Sequence, residues 1–223
     1  MATLPFDPAS LPVDGIAGEA AVPAERLTVD WLRARFAAPP PWSPEQVDEG
    51  RLHLDGARHA AVRASVLVPL VRREAGLTLL LTQRTAHLSK HAGQVSFPGG
   101  RAETSDTSVV DTALRETEEE VGLDRQHVEV LGTLPDYATG SGFLVTPVVA
   151  LVQPPFTLQA DPSEVADIFE VPLAFLMDGQ HHQRIMAPAS SGRHMFYAMP
   201  YQQFYIWGAT AGMLRNLFHF WRA

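Results

Sequence analysis

The segment from residue 108 to residue 121 constrains the fold more than any other, because its apolar residues follow the helical repeat. At about 100° per residue they fall within one narrow arc, which predicts an apolar stripe against a core. That stripe contains Val110, Leu114, Thr117 and Val121. Ser108 with Asp111 resembles a capping box, and Gly122 can take the left-handed conformation that ends a helix. We therefore predict a helix with one buried face.

The opposite side of this helix is strongly acidic, with four glutamates in five positions of RETEEEVGL, residues 115–123. Glu116, Glu119 and Glu120 stand at i, i+3 and i+4 on one face, and Glu118 lies on the other flank. Repulsion costs only about 0.2 to 0.5 kcal/mol per pair, so a solvated surface would account for the glutamates alone. No basic residue follows the three at i+4, however, and a hard divalent cation such as Mg²⁺ would relieve the repulsion.

The segments around this helix predict β-strands, because they are rich in β-branched and aliphatic residues. They are AVRASVLVPLVR (61–72), LTLLLTQR (77–84), VEVLGTLP (128–135), FLVTPVVALV (143–152) and IFEVPL (168–173). The first two are separated by REAG, which suggests a hairpin, and GATAGMLRNLFHFW (208–221) predicts a closing helix. This order predicts an α/β domain with a mixed sheet and helices on its faces.

The N-terminal part predicts an appendage to that domain. Residues 1–24 contain four prolines, which predicts an irregular arm rather than part of a packed layer. Thr28 can cap a short helix, VDWLRARF, which the prolines at 39–41 stop. We assign the arm and short helix to residues 1–55 and the main domain to residues 56–223.

The composition argues against several classes of partner. The 223 residues carry a formal net charge of -8, with a pI near 5.5 and no basic run, so we expect no nucleic-acid partner. Cysteine is absent, so a bound metal must have oxygen or imidazole ligands. The longest apolar run, 143–152, is too short for a bilayer, and the N terminus shows no leader pattern. We expect a cytoplasmic protein with no membrane partner, and the sequence leaves a homodimer open.

The turn FPGG, residues 97–100, precedes the acidic helix at a specific spacing. Five residues separate it from Asp106, and eight more lead to RETEEEVGL. This pattern resembles the Nudix box, G-x5-E-x7-R-E-U-x-E-E-x-G-U, in which U is a bulky apolar residue. Asp106 replaces the first glutamate, one extra residue precedes Arg115, and Thr117 stands where an apolar residue is usual. The arginine, glutamates and glycine of the box are in place, and the role of Asp106 is left open.

A second resemblance is to bacterial coenzyme A pyrophosphatases, a subfamily of Nudix hydrolases. LLLTQRTAHLSKHAGQVSFPGG, residues 79–100, is similar to their signature L-L-T-x-R-S-x3-R-x3-G-x3-F-P-G-G, and they too have an extra residue within the box. Thr85 and Ser89 replace the serine and arginine of that signature. Lys90 or Arg101 could supply the missing charge to a phosphate. The resemblance covers residues 60–217 and implies a Nudix-type α/β/α sandwich.

The resemblance implies metal-dependent hydrolysis of the pyrophosphate bond of coenzyme A or acyl-CoA, giving 3′,5′-ADP and (acyl-)4′-phosphopantetheine. Because this substrate is anionic, more than one Mg²⁺ or Mn²⁺ is expected. The implied metal ligands are Glu116, Glu119, Glu120 and the Gly100 carbonyl. Arg115 would hold a carboxylate in position. The general base is a box glutamate or Glu164 of DPSEVADIF, although a solvated loop acid explains Glu164 equally well.

Five further residues are predicted to contact the nucleotide substrate. They are Arg84, Lys90, His91, Phe97 and Arg101. An ion pair at the end of a strand is a fair alternative for Arg84, and His91 is expected to pack or hydrogen-bond near the glycine loop rather than bind metal. TGSGF, residues 139–143, is a candidate mobile substrate loop.

Three other functions compete with hydrolysis of coenzyme A. The same fold could act on ADP-ribose or another nucleoside diphosphate derivative. It could be a catalytically inactive nucleotide-binding regulator, although the intact glutamate set argues against this. Hydrolysis of free nucleoside triphosphates is weakly supported, because the signature before the box is not typical of those enzymes.

Overall fold

The computed structural model describes residues 7–45, 61–87, 91–189 and 192–223. Its α-helices are α1 (Val29–Ala37), α2 (Val109–Val121), α3 (Leu173–Leu176) and α4 (Gly208–Arg222). Its strands are β1 (Val13–Ile16), β2 (Val62–Arg73), β3 (Gly76–Arg84), β4 (Val95–Ser96), β5 (Gly99–Arg101), β6 (Val128–Thr133), β7 (Tyr137–Ala138), β8 (Phe143–Val152), β9 (Val165–Pro172), β10 (Gln183–Ala189), β11 (Gly192–Tyr201) and β12 (Phe204–Trp207). The predicted strands and the three predicted helices are all present.

The central feature is an eight-stranded mixed sheet around β2. β2 runs parallel to β8, from Val62 opposite Phe143 to Val71 opposite Val152, and antiparallel to β3 and β5. β4 and β9 extend the sheet from β3, and β6 and β7 extend it from β8. The combination of parallel and antiparallel pairs confirms the predicted α/β class with a mixed sheet.

Helices cover both faces of this sheet. Successive side chains of a strand point to opposite faces. On β8, Val148 and Ala150 belong to the buried cluster that contains Ala113 of α2. Val149, between them, belongs to the cluster that contains Leu214 of α4. The sheet therefore lies between α2 and α4, which confirms the predicted α/β/α sandwich.

A second sheet, with the order β1-β10-β11-β12, includes part of the N-terminal arm. β1 pairs antiparallel with β10, and Val13 lies opposite Ile185. The prediction that residues 1–24 lie outside the packed layers is therefore wrong for Val13–Ile16. Four residues between prolines are too few to show a strand period, and the backbone hydrogen bonds come from a strand far along the chain.

The segment that follows the arm packs on the main domain. Thr28 begins α1 as predicted, because its Oγ1 accepts a hydrogen bond from Trp31 N at 3.3 Å. Leu32 is fully buried, and the ring of Trp31 stacks on Trp221 with 5.8 Å between centroids. The boundary near residue 55 lies outside the described residues and stays a prediction. No helix in the described ranges is long and apolar enough to cross a membrane.

Candidate active site

Helix α2 supports the acidic residues as the sequence predicted. Ser108 Oγ accepts a hydrogen bond from Asp111 N at 3.1 Å and begins the helix. Gly122 ends it with a φ of 67°. The loop beyond β8 closes over this end, because Asp161 N donates to Glu120 O at 2.9 Å. The last turn, which carries the glutamates, is therefore held by the cap at Gly122 and by the loop at Asp161.

Glu120 is the most buried glutamate of this helix, with 5% of its side chain exposed. Its Oε2 accepts a hydrogen bond from Gly99 N at 3.1 Å, and its Oε1 lies 3.5 Å from Arg84 Nη1. Burial outweighs both contacts and raises the pKa of Glu120 to about 7. A carboxyl group in this position is stabilised by additional positive charge.

Glu116 lies directly against the backbone of Gly100. A Cβ atom at Gly100 would overlap the Glu116 carboxylate, so the close approach requires glycine. Glu116 Oε1 is 3.0 Å from Arg115 Nη2. Burial nevertheless raises the pKa of Glu116. The glycine turn and the acidic helix thus meet at this pair.

Arg115 connects most of the surrounding carboxylates. Its Nε donates to Asp106 Oδ1 at 2.8 Å, and its Nη2 donates to Asp106 Oδ2 at 3.1 Å. Thr112 Oγ1 donates to the same Asp106 Oδ2 at 2.9 Å. The arginine holds the pKa of Asp106 well below its usual range. Asp106, whose role the sequence left open, therefore orients Arg115 from outside the helix.

Glu119 and Glu118 lie on different flanks of α2, as predicted. Glu119 is 60% exposed at its side chain, and its Oε2 accepts from Arg115 Nη1 at 3.0 Å. Glu118 Oε2 is 2.6 Å from Arg125 Nη2, and this pair has no contact with the other glutamates. Glu118 is therefore separate from the site.

Arg84, at the end of β3, and Glu164, in the turn before β9, lie near Glu120. Arg84 Nη2 is 3.6 Å from Glu164 Oε2, so Arg84 lies between two carboxylates. This is the ion pair that the sequence left as an alternative to phosphate binding. Thr85 fixes the Glu164 loop, because its N donates to Glu164 O at 2.9 Å and its Oγ1 donates to Ser163 O at 3.3 Å.

The other predicted substrate contacts lie in different environments. Phe97 is 2% exposed within the core, where its ring packs against protein and not against an entering ligand. His91 shares a hydrogen bond of 2.9 Å with Gln94 Oε1, as expected for a residue near the glycine turn. Arg101 is exposed at the end of β5. Lys90 lies outside the described residues.

The acidic cluster has an excess of negative charge. It comprises five carboxylates and two guanidinium groups: Asp106, Glu116, Glu119, Glu120, Glu164, Arg84 and Arg115. Five minus two leaves three negative charges when all are ionised. Within the described ranges, no three acidic or histidine side chains are already gathered as metal ligands. The reason is that Glu116 and Glu119 turn toward Arg115 while Glu120 turns toward Arg84.

The donor chemistry of this cluster fits a hard divalent cation. Every donor is an oxygen atom, which Mg²⁺ and Mn²⁺ prefer. Burial raises the pKa of Glu120 and of Glu116 although each lies near an arginine, so a further cation would stabilise both carboxylates. Gly100 has no side chain to fill the space beside Glu116.

An α/β/α sandwich that carries a cluster of oxygen donors on one helix is suited to the hydrolysis of phosphoanhydrides with divalent ions. The chain matches the NUDIX domain over residues 61–188. It is 39% identical over 192 residues to Nudix hydrolase NudL of Escherichia coli O139:H28, covering 86% of this chain and 93% of that protein. It is 42% identical over 185 residues to NudL of Photorhabdus laumondii, covering 83% and 92%. The chain belongs to the Nudix family and is a pyrophosphohydrolase.

A solved structure shows a partial likeness. The Nudix hydrolase RenU from M. smegmatis is 23% identical, with a TM-score of 0.43, and the match covers 50% of this chain and 71% of that chain.

Proposed function

We propose that this pyrophosphohydrolase cleaves the pyrophosphate bond of coenzyme A or acyl-CoA, with Mg²⁺ or Mn²⁺, to give 3′,5′-ADP and (acyl-)4′-phosphopantetheine. One observation carries the proposal: both ends of the segment that resembles coenzyme A pyrophosphatases meet at Glu120. Arg84, near its start, lies 3.5 Å from Glu120 Oε1. Gly99, at its end, donates to Glu120 Oε2 at 3.1 Å. The segment that suggests the substrate is thus in contact with the acidic helix.

Four groups would hold the metal ions: the carboxylates of Glu116, Glu119 and Glu120 and the carbonyl of Gly100. Bound ions would neutralise the pyrophosphate and lower the pKa of a water molecule. Arg115 supports this arrangement, because its Nη2 and Nη1 atoms each lie 3.0 Å from one carboxylate, of Glu116 and of Glu119. It restricts two flexible side chains to one side of the helix before any ligand arrives.

Glu164 is our candidate for the general base. Its side chain is 48% exposed, so water and substrate can reach it, whereas Glu120 is buried and engaged by Gly99 and Arg84. Thr85 anchors the backbone of Glu164, which keeps the carboxylate beside the acidic helix. A base must lie within hydrogen-bond reach of the proton that it removes, directly or through one water molecule, and the proposal requires Glu164 to do so when the substrate is bound.

The burial of Glu120 also favours an enzyme over an inactive nucleotide-binding regulator. Burying a carboxyl group costs folding free energy, and strongly perturbed carboxyl groups concentrate at catalytic sites. A regulator that only senses a nucleotide gains nothing from a carboxyl whose pKa burial raises to about 7.

A substrate panel tests the proposal. Coenzyme A, acetyl-CoA, ADP-ribose and NADH are incubated with the protein and Mg²⁺ or Mn²⁺, and the products are identified by mass. We expect 3′,5′-ADP and 4′-phosphopantetheine from coenzyme A at the highest kcat/KM of the panel. Clear preference for ADP-ribose would reject the substrate, and no hydrolysis of any compound would support the regulator.

A further inference from the structure

Arg101, at the end of β5, is an exposed arginine. Arg84 and Arg115 both contact carboxylates. Among the described residues, no carboxylate lies within ion-pair distance of Arg101. Its guanidinium carbon instead lies 5.2 Å from the centroid of the Phe143 ring. The ring covers one face of the guanidinium, and the N–H groups at its edge can bind an anion.

The strand register turns Arg101 away from the acidic helix. Gly100 lies opposite Ser65, and Arg101 lies opposite Ala64. The Cβ position of Gly100 points at the glutamates of α2, so the next side chain along the strand points to the other face. Ala64 and Phe143 both belong to the cluster on that other face. Arg101 therefore lies around the edge of the sheet from the acidic cluster.

The backbone at Arg101 is held in place from two directions. Arg115 Nη2 donates to Arg101 O at 3.1 Å, which ties it to the acidic cluster. On the next residue, Ala102 N donates to Arg63 O at 3.0 Å. Phe143 is fixed in turn, because its N donates to Thr139 Oγ1 at 3.0 Å. The backbone that carries the arginine and its aromatic support is thus held in place before a ligand binds.

We propose that Arg101, supported by Phe143, binds a phosphate monoester of the substrate that is distinct from the pyrophosphate being cleaved. In coenzyme A this group is the 3′-phosphate of the ribose, so the inference rests on the proposed function. A phosphate monoester carries about -1.5 to -2 charges at neutral pH and offers three acceptor oxygens to a guanidinium fork. The pyrophosphate would bind on the opposite face of the sheet, at the acidic cluster beside α2.

The test compares Arg101→Gln with the wild type on coenzyme A and on 3′-dephospho-coenzyme A. For coenzyme A we expect kcat/KM to fall about ten- to a hundredfold through KM, because a charged hydrogen bond to bound substrate is lost. For 3′-dephospho-coenzyme A we expect no change. Calorimetry should also show that the wild type binds 3′,5′-ADP more tightly than 5′-AMP, and that Arg101→Gln loses this preference.

Arg63→Gln is the matched control, because Arg63 lies on the adjacent strand but its Nη1 pairs with Asp136 Oδ2 at 3.2 Å. It should keep the preference for the 3′-phosphate. An equal loss on both substrates in Arg101→Gln, or no loss on either, would overturn the inference. If coenzyme A is not hydrolysed by the wild type but Arg101 still controls the preference for 3′,5′-ADP, the proposed function fails and the phosphate site stands.

Discussion

Two ionic clusters of the described residues differ in how far their carboxylates are compensated. The acidic cluster beside α2 keeps an excess of carboxylates. The second, which we call the arginine cluster, lies on α4 and consists of Arg215, Glu19, Glu45, His182, His219 and Tyr197. In it, Arg215 Nη2 lies 2.8 Å from Glu19 Oε1 and 3.0 Å from Glu45 Oε2. Tyr197 Oη and His219 Nε2 also donate hydrogen bonds to Glu45, so two further donors supplement the one guanidinium that the two carboxylates share.

His182 and Tyr197 both make hydrogen bonds to charged members of the arginine cluster. His182 is fully buried; its Nε2 donates to Leu176 O at 2.8 Å, so its Nδ1 accepts from Arg215 Nη1 at 3.1 Å. Burial lowers the pKa of His182 to about 4, which keeps it neutral in this role. Tyr197 Oη donates to Glu45 Oε1 at 2.6 Å.

The difference separates a structural network from a site that requires a ligand. Glu19 and Glu45 belong to the N-terminal segment, so the arginine cluster ties that segment to α4. The acidic cluster gains from additional cations because its own arginines do not balance it. Removing one member of a buried ion pair is strongly destabilising, because the remaining charge is left without compensation.

The largest expected effect is on catalysis in the acidic cluster. Glu120→Gln should lower the rate of hydrolysis by about three orders of magnitude, or about 4 kcal/mol, because it removes a metal ligand. The folded protein should be at least as stable, because burial already disfavours the charge. Glu118→Gln is the control, since Glu118 pairs with Arg125 and has no role in the site. Full activity in Glu120→Gln would refute the proposed metal site.

The arginine cluster should show the reverse pattern, with a loss of stability and no loss of chemistry. Arg215→Met should lower the free energy of unfolding by about 3 to 5 kcal/mol, because it leaves two carboxylates without their cation. Urea denaturation measures this, and kcat of the folded protein should not change. Arg125→Met removes an exposed pair with Glu118 and should cost about 1 kcal/mol or less. Equal losses in the two variants would remove the distinction between the clusters.

Orientation of Arg115 should have a smaller effect than loss of a ligand. Asp106→Asn weakens two of the hydrogen bonds that hold Arg115, so kcat/KM should fall about ten- to a hundredfold, as for other groups that orient ligands. The concentration of Mn²⁺ that gives half-maximal activity should rise with it. Asp106→Glu, which restores the residue usual at this position of the Nudix box, should retain more activity. An Asp106→Asn protein with unchanged Mn²⁺ dependence would show that Arg115 needs no external support.

Features formed by residues near one another in the sequence were predictable, whereas contacts between residues far apart in the sequence mostly were not. The caps of α2 and the separation of Glu118 from the other glutamates follow from helical spacing alone. The contact of Arg84 with Glu120 depends on how a strand and a helix are packed, and no local pattern records it. The pairing of β1 with β10 likewise depends on distant backbone groups. The site could still be predicted from the resemblance to the Nudix box, because members of a family share the packing that brings the residues of the motif together.

The most deeply buried titratable group of each cluster, Glu120 in one and His182 in the other, should respond to acid with opposite signs. Glu120 has a pKa of about 7 in the folded protein against 4.5 unfolded, so the folded state binds more protons between these values and gains stability as pH falls. His182 has a pKa of about 4 against 6.5, so the unfolded state binds more protons there and stability falls. Glu19 and Glu45, at about 2 against 4.5, extend that loss to lower pH.

The smallest predicted effect is therefore a difference between the wild type and Glu120→Gln in how steeply the free energy of unfolding depends on pH. In metal-free buffer between pH 6.5 and 4.5, the stability that the wild type gains through Glu120 and the stability that it loses through His182 oppose one another. Its unfolding free energy should therefore change little. Glu120→Gln lacks the gain, so its stability should fall more steeply, by up to about 1.4 kcal/mol per pH unit for one proton. Below pH 4.5 both proteins should lose stability together, because both keep the carboxyl groups whose pKa is lowered in the folded state, among them Asp106, Glu19 and Glu45. Parallel curves above pH 4.5, measured by urea denaturation, would contradict the assignment of a raised pKa to Glu120.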